Sequence, residues 1–239
     1  MKKHTTNLCL QKASLLVLLL FFAILSHATP FITTWKTDNP GTSGPNQIIV
    51  PATGIAYYNF NYDIEWEEVG NPTNNGSLTG NGNTTVTFPS AGTYEVRLSF
   101  VKLFYFFNGA GDPLKLLTVE QWGNSLWEDM GHTFNGCANM TYNATDVPDL
   151  HHCMGLDNTF RDCTNFNGNI GGWNTSTIIS MSRTFEGASS FNKNIGGWNT
   201  ANVNNMSLMF SHATSFNQNI GNWNTSNVSN MNFMFSHAT

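Results

Sequence analysis

Charge is what this sequence has least of. Only 10% of its 239 residues are Asp, Glu, Lys or Arg, and ten basic residues face fifteen acidic ones. Nucleic-acid affinity comes from neutralising phosphates, so a chain this poor in Lys and Arg is not a nucleic-acid binder. The same shortage excludes adhesion to anionic lipid. Disorder is excluded too, since it needs high net charge and few aromatics, whereas 40% of these residues are hydrophobic and 13% aromatic. Asn, Thr, Ser and Gly carry the polarity instead.

Cysteine is scarce and unpatterned. Cys9, Cys137, Cys153 and Cys163 form no CxxC and no ligand set with metal spacing. Catalytic signatures are missing as well: there is no nucleophile elbow, P-loop or HExxH. Glu128, Asp129, Asp146, Asp149 and Asp157 are acids at no fixed separation. His151 and His152 beside Asp149 come nearest to a metal or acid–base cluster, but adjacent side chains diverge in either regular structure. The expectation is a protein that is not an enzyme, with no catalytic residue, cofactor or metal.

Long apolar runs are lacking except for Leu15 to Leu25, which falls short of the roughly 20 residues a spanning helix needs. Lys2, Lys3 and Lys12 precede or flank it and Ser26-His27-Ala28 follows, the layout of an export signal over 1–28 with cleavage after Ala28. Its removal takes away three lysines and no acids, moving the net charge from −5 to −8. The mature chain is then secreted or held at the cell surface, with no membrane insertion. It keeps three cysteines, an odd number that excludes a fully paired framework.

What is present is repetition. Trp223, Val228, Met231, Phe235 and Ala238 recur 25 residues earlier as Trp198, Val203, Met206, Phe210 and Ala213, and again as Trp173, Ile178, Met181, Phe185 and Ala188. Phe166, Phe191 and Phe216 recur between them, as do Ile170, Ile195 and Ile220. Two degenerate copies stand upstream, one with Trp122, Trp127, Met130, Phe134 and Cys137, the other with Leu156, Phe160 and Cys163 and with Pro148 in place of Trp. A fixed period of this size marks units that bury their apolar faces by stacking on neighbours. Cys137 and Cys163 fill the small-residue slot of Ala188, Ala213 and Ala238, so they are expected to be buried, although adjacent rungs about 4.8 Å apart would also permit a bridge.

Ahead of the repeats, residues 29–46 are rich in turn formers. Ile48-Ile49-Val50 then opens a strand-like region. Tyr58, Phe60, Tyr62, Ile64 and Trp66 alternate with polar residues, as do Tyr94, Val96, Leu98 and Phe100, which is the period of a half-buried strand. Thr85 to Phe88 is another strand, and Val101 to Phe107 is an apolar β-type run. Residues 71–76 and 80–83 are expected to be loops. The result is a small β-sandwich over 29–111. Its segment Phe88-Pro89-Ser90-Ala91-Gly92-Thr93-Tyr94-Glu95-Val96 resembles a hairpin of immunoglobulin-like and PKD-like domains. Residues 112–121, with Leu114, Leu116, Leu117 and Val119, are expected to cap the repeats.

Within a repeat, Val203, Met206, Met209, Phe210 and Ala213 fall on one face of a helix, and Phe216 to Trp223 is extended with a bend at Gly221. One helical and one extended segment per repeat predicts a mixed α/β chain. The β-sandwich would be followed over 112–239 by a leucine-rich-repeat-like solenoid of about five coils, truncated at its carboxyl end.

The stretches WNTSNVSNMNFMFSHAT and ASSFNKNIGGWNTANVNNM resemble the tandem repeats of BspA-like leucine-rich-repeat bacterial surface proteins, over about residues 118–239. The resemblance implies an adhesin or binding protein that engages an extracellular or host-matrix protein or glycan. Asn192, Asn194, Asn199, Asn217, Asn219 and Asn224, on recurring positions, are the candidate binding surface. The alternative is a structural spacer or self-assembly module with no external ligand. Trp122, Trp173, Trp198 and Trp223 are expected in the core rather than stacked on ligand, and His212 with His237 forms an exposed rung. Amino-terminal sequencing of the exported chain is expected to start at Thr29; a mature chain still starting at Met1 would disprove the cleavage.

Overall fold

The computed structural model describes residues 29–52, 61–99, 101–106 and 109–238. The expected signal over 1–28 lies outside them, as do Tyr58, Phe60, Phe100 and Phe107. Among the described residues eight strands run in chain order: β1 (Phe31–Lys36), β2 (Gln47–Val50), β3 (Asn61–Glu68), β4 (Asn71–Asn81), β5 (Thr84–Thr87), β6 (Thr93–Ser99), β7 (Leu116–Gln121) and β8 (Thr141–Tyr142). Six form one sheet in the order β4-β3-β6-β1-β7-β8, and β2 pairs with β5 in a second, two-stranded sheet. All pairings are antiparallel except β7 with β8, which is parallel.

The alternating strands bury the residues their period selects. Tyr62, Ile64 and Trp66 on β3 and Tyr94, Val96 and Leu98 on β6 are buried, while Asn61, Asp63 and Glu65 are exposed. β1 emerges from a segment read as turn, and its Phe31, Thr33 and Trp35 face the core at the centre of the sheet. The residues expected to loop over 71–76 and 80–83 instead supply most of β4. Its glycines explain this: Gly76 pairs directly with Trp66 and Gly80 with Tyr62. A Cβ at these positions would come within 2.5 Å of the Trp66 ring and 2.4 Å of the Tyr62 ring, so the aromatic rings of β3 lie across the glycines of β4.

Phe88 to Val96 is not a hairpin, because β5 and β6 belong to different sheets. The segment is an arch that carries Phe88 onto Tyr94, 4.0 Å away and stacked, and edge-on to Trp66 at 5.2 Å. These contacts join the small sheet to the large one. Residues 101–106 are buried in part but form no strand.

Two fully buried opposite charges hold the turn-rich segment that precedes β2. The Asp112 carboxylate accepts the amides of Thr42 (2.7 Å), Ser43 (3.0 Å) and Ile49 (2.7 Å) and the Ser43 hydroxyl (2.6 Å). Lys115 Nζ donates to the carbonyls of Ser43, Gly44 and Gln47 and to Ser43 Oγ at 2.7–3.1 Å. Burial lowers the Lys115 pKa. With both charges saturated by hydrogen bonds, the desolvation cost is offset.

The mixed α/β class is overturned. Among the described residues there is no α-helix: a three-residue 3-10 turn, Pro113–Lys115, precedes β7, and the repeats are bridges, turns and extended chain. A leucine-rich-repeat-like solenoid of strand-plus-helix coils is therefore not formed. Its helical spacing has another cause. Met209, Ser211 and Ala213 donate to carbonyls three residues back, as a helical turn does, but Leu208 and His212 have φ of 57° and 58° and break the helix every fourth residue. Asn158, Arg183 and Phe233 match Leu208, and Asp162, Gly187 and His237 match His212.

The remaining amides leave their own repeat. Met206, Leu208, Phe210 and His212 donate to the carbonyls of Asn230, Asn232, Met234 and Ser236 at 2.8–2.9 Å. One repeat earlier, Met181, Arg183, Phe185 and Gly187 donate to Asn205, Ser207, Met209 and Ser211 in the same way. Before them, Leu156, Asn158, Phe160 and Asp162 donate to Ser180, Ser182, Thr184 and Glu186. The peptide unit between Met209 and Phe210 thus takes a bond from one side and gives one to the other, and so do its equivalents. Strand dipoles in a sheet alternate and nearly cancel; these peptides all point one way.

Like-numbered side chains consequently form columns. Phe160, Phe185, Phe210 and Phe235 stack at 5.5–5.6 Å with nearly parallel rings. Phe166, Phe191 and Phe216 stack at 5.7–5.8 Å. Trp173 and Trp198 lie 6.4 Å apart and 15° from parallel. β7, beside β8, and residues 101–106 together flank the first repeat: Glu128 donates to the Lys102 carbonyl and Phe106 to that of His132. One buried apolar cluster extends from the sheets into the repeats. Phe185 sits mid-column against Phe160, Phe191, Trp198 and Phe210. Its replacement, Phe185→Ala, is expected to cost about 3–5 kcal/mol in urea unfolding; a loss below about 1 kcal/mol would contradict a packed column.

A candidate interaction surface

Five of the six candidate Asn residues already have work inside the fold, done by the side-chain oxygen; Asn217 is engaged through its backbone amide. Asn194 Oδ1 and Asn219 Oδ1 each accept the amide two residues on, from Gly196 and Gly221, at 2.9 Å. Asn199 and Asn224 do the same for Ala201 and Ser226 at 3.0 Å. These are Asx turns, which let Asn replace a backbone acceptor at a bend. Asn192 differs, because its oxygen accepts the Asn217 amide of the next repeat at 2.9 Å, just as Asn167 accepts that of Asn192. Gln218 Nε2 also donates to Asn192 Oδ1, at 2.8 Å.

The six residues therefore fall into three columns. Asn194 with Asn219 and Asn199 with Asn224 are exposed, and their amide nitrogens make no hydrogen bond among the described residues. Asn192 is half-buried with its oxygen doubly used, while Asn217 is exposed. Asn202 and Asn227, which sequence reasoning did not single out, turn their amides inward to the carbonyls of Ser176 and Ala201.

This surface is almost free of charge. From Thr164 to Ala238 only Arg183, Glu186 and Lys193 are charged, and Arg183 is paired with Glu186 at 2.8 Å. What it presents is a set of neutral amide donors repeated from rung to rung. Such a set suits hydrogen-bond acceptors on a polymer and gives a small charged ligand nothing to pair with.

The aromatic and sulfur positions lie inside. Trp122, Trp173, Trp198 and Trp223 are all buried. Trp198 and Trp223 donate from Nε1 to the carbonyls of Ile170 (3.0 Å) and Ile195 (3.2 Å), each in the preceding repeat. Cys137, Cys153 and Cys163 are buried free thiols. Burial pushes the Cys153 pKa up to about 11 and those of Cys137 and Cys163 upward as well, which makes all three poor nucleophiles.

The acids of the first two repeats do not converge. Asp146 accepts the amides of Trp122 and Gly123, Asp129 that of Gly131, Asp157 bonds Ser180 Oγ, and Glu128 pairs with Lys102. The His151 and His152 rings do approach, to 4.0 Å, contrary to the divergence expected of neighbours, because they share a turn. His151 Nδ1 lies 2.5 Å from Asp149 Oδ1, and that bond holds the Asp149 carboxyl below its usual range. Both partners are largely exposed. His212 and His237 stack at 4.7 Å. No group of three metal-capable side chains occurs among the described residues.

Residues 128–239 match a family described as "Mycoplasma protein of unknown function, DUF285". No curated protein and no solved structure matches the chain.

His132 is the histidine that sequence reasoning missed. It holds φ 59° in the first repeat, with Asn135 Nδ2 at 3.3 Å from Nδ1 and Asn158 Nδ2 at 3.5 Å from Nε2. Burial, and then the Arg161 guanidinium, depress its pKa below 6.5. A depressed folded-state value means the unfolded chain binds the proton first. Stability is therefore complete above about pH 6.5 and declines as pH falls below it. His132→Asn, with Asn tolerating the left-handed backbone, is expected to flatten that decline in melting temperature between about pH 7 and pH 5. Identical slopes for the two proteins would rule out this source.

Proposed function

We propose that this chain is an exported binding protein that presents its amide columns to an extracellular macromolecule. The observation that carries the reading is the pairing of exposed, unengaged amide donors on Asn194, Asn199, Asn219 and Asn224 with an almost uncharged surround. The resemblance to BspA-like surface proteins and the amino-terminal leader support export and adhesion. Among the described residues no helix is long and apolar enough to cross a membrane. The partner on this reading is a protein or glycan offering neutral acceptors at regular intervals, and binding should respond weakly to salt because few charges take part.

The turn role of each Asn oxygen makes a clean test possible. Asn→Asp keeps the accepting oxygen and removes the amide donor, and Asn→Ser keeps a local acceptor without adding charge. Both sets of substitutions at Asn194, Asn199, Asn219 and Asn224 are expected to weaken capture of immobilised extracellular-matrix protein or glycan about tenfold, with unchanged melting temperature. Undiminished capture by both sets would refute the role of these columns.

A further inference from the structure

One turn recurs in four successive repeats. The carbonyls of Thr175, Thr200 and Thr225 accept the amides of Ile178, Val203 and Val228 at 3.0–3.1 Å, and that of Leu150 accepts the Cys153 amide at 2.8 Å. Just before each turn a side-chain oxygen accepts the amide two residues on: Asn174 for Ser176, Asn199 for Ala201, Asn224 for Ser226 and Asp149 for His151. The middle of the turn is Ser176-Thr177, Ala201-Asn202 and Ser226-Asn227 in three repeats, and His151-His152 in the fourth. The carboxylate thus replaces the amide in the one turn that carries two histidines. Asparagine suffices for the turn itself, so the charge on Asp149 serves another purpose.

Its Oδ1 meets His151 twice, at the backbone amide (3.2 Å) and at ring Nδ1 (2.5 Å). The ring bond holds the Asp149 pKa below its usual range, and an ionised carboxylate only accepts, so Nδ1 carries the proton. Neutral His151 then has its lone pair on Nε2. The His152 ring lies 4.0 Å away at 43°. Buried Leu150 and Cys153 pin the turn at both ends, and the Trp127 amide bonds the Asp149 carbonyl, while both imidazoles are exposed. We propose that His151 and His152 bind a divalent transition-metal ion, Cu2+ best of all, with Asp149 as the positioning residue that fixes the His151 tautomer. A ligating histidine that gives its other ring N–H to a carboxylate is held in orientation and made more basic. Imidazole suits copper, nickel and zinc, and affinity among divalent ions peaks at Cu2+. Among the described residues no group of three His, Cys, Asp or Glu can hold an ion, so the pair supplies part of the coordination shell and water completes it. That excludes a closed structural zinc site, which takes four protein ligands. Cys153 takes no part, since its buried thiol donates to the Gly155 carbonyl at 3.2 Å. Asp149 has no amide donor, so the site stands apart from the Asn columns.

The test titrates the exported chain, from Thr29 onward, with Cu2+ alone. Saturation of one site is expected, with two imidazole nitrogens in its electron paramagnetic resonance signal. His151→Ser and His152→Thr copy the turn of the next repeat. Each should weaken binding about tenfold or more and remove one nitrogen from the signal, with melting unchanged. Asp149→Asn copies the turn oxygen of Asn174, and it should weaken binding about 10–100-fold while both nitrogens remain. His212→Asn should leave affinity as it was. No saturable binding, full affinity in either His151→Ser or His152→Thr, or an equal loss in His212→Asn overturns the proposal. Full affinity in Asp149→Asn overturns the positioning role.

Discussion

Each repeat relies on hydrogen bonds that it cannot make alone. Half of the amides in the segment 206–213 close local turns, and the other half need carbonyls 24 residues further on. A lone repeat would leave those groups unmet and would hold non-glycine residues such as Leu208, Arg183 and Phe233 at positive φ, at about 1–2 kcal/mol each. Stacking offsets that strain by satisfying the amides and burying Phe, Met and Trp between rungs. Stability is therefore a property of neighbours, as in any array whose units touch only the next.

Such an array needs a first neighbour, and the amino-terminal sheet supplies it. β7 pairs with β1 on one edge and with β8 on the other, so the same strand closes the antiparallel sheet and begins the parallel stacking. The aromatic contacts follow the same route. Phe31 stacks on Trp122 at 5.4 Å, Trp122 meets Trp127 at 5.2 Å and Trp173 at 5.4 Å, and Trp173 stacks on Trp198. Residues 29–111 and the repeats are thereby joined through shared core, and disturbance of β1 should be felt in the first rungs.

Much of this was legible in the residues, and the failures have identifiable causes. Period-two alternation locates β3 and β6, and the 25-residue period locates the Phe and Trp columns of the last three repeats. The spacing predicts a helix in each repeat because the inward positions of Met206, Phe210 and Ala213 are the same for a helix and for turns broken at Leu208 and His212. A hint existed: Asp162, Gly187 and His212 share a position and all tolerate left-handed backbone. Leu208, Arg183 and Phe233 gave no such hint, since nothing in those residue types favours positive φ. β4 was hidden by Asn, Pro and Gly, which ordinarily mark loops. Only the registry of Gly76 and Gly80 with Trp66 and Tyr62 shows why those glycines suit a strand.

The same accounting changes the meaning of the Asn columns. Their recurrence alone reads as a surface chosen for a ligand, yet the oxygens of Asn192, Asn194, Asn199, Asn219 and Asn224 are each committed to a turn or to the next rung. At those five positions asparagine serves the backbone whether or not anything binds. What folding leaves unused on the Asn194–Asn219 and Asn199–Asn224 columns is the amide nitrogens, because the bends consume the oxygens beside them. Those two exposed columns are therefore donors by construction, and the rule that repeats them from rung to rung is the turn, not a ligand.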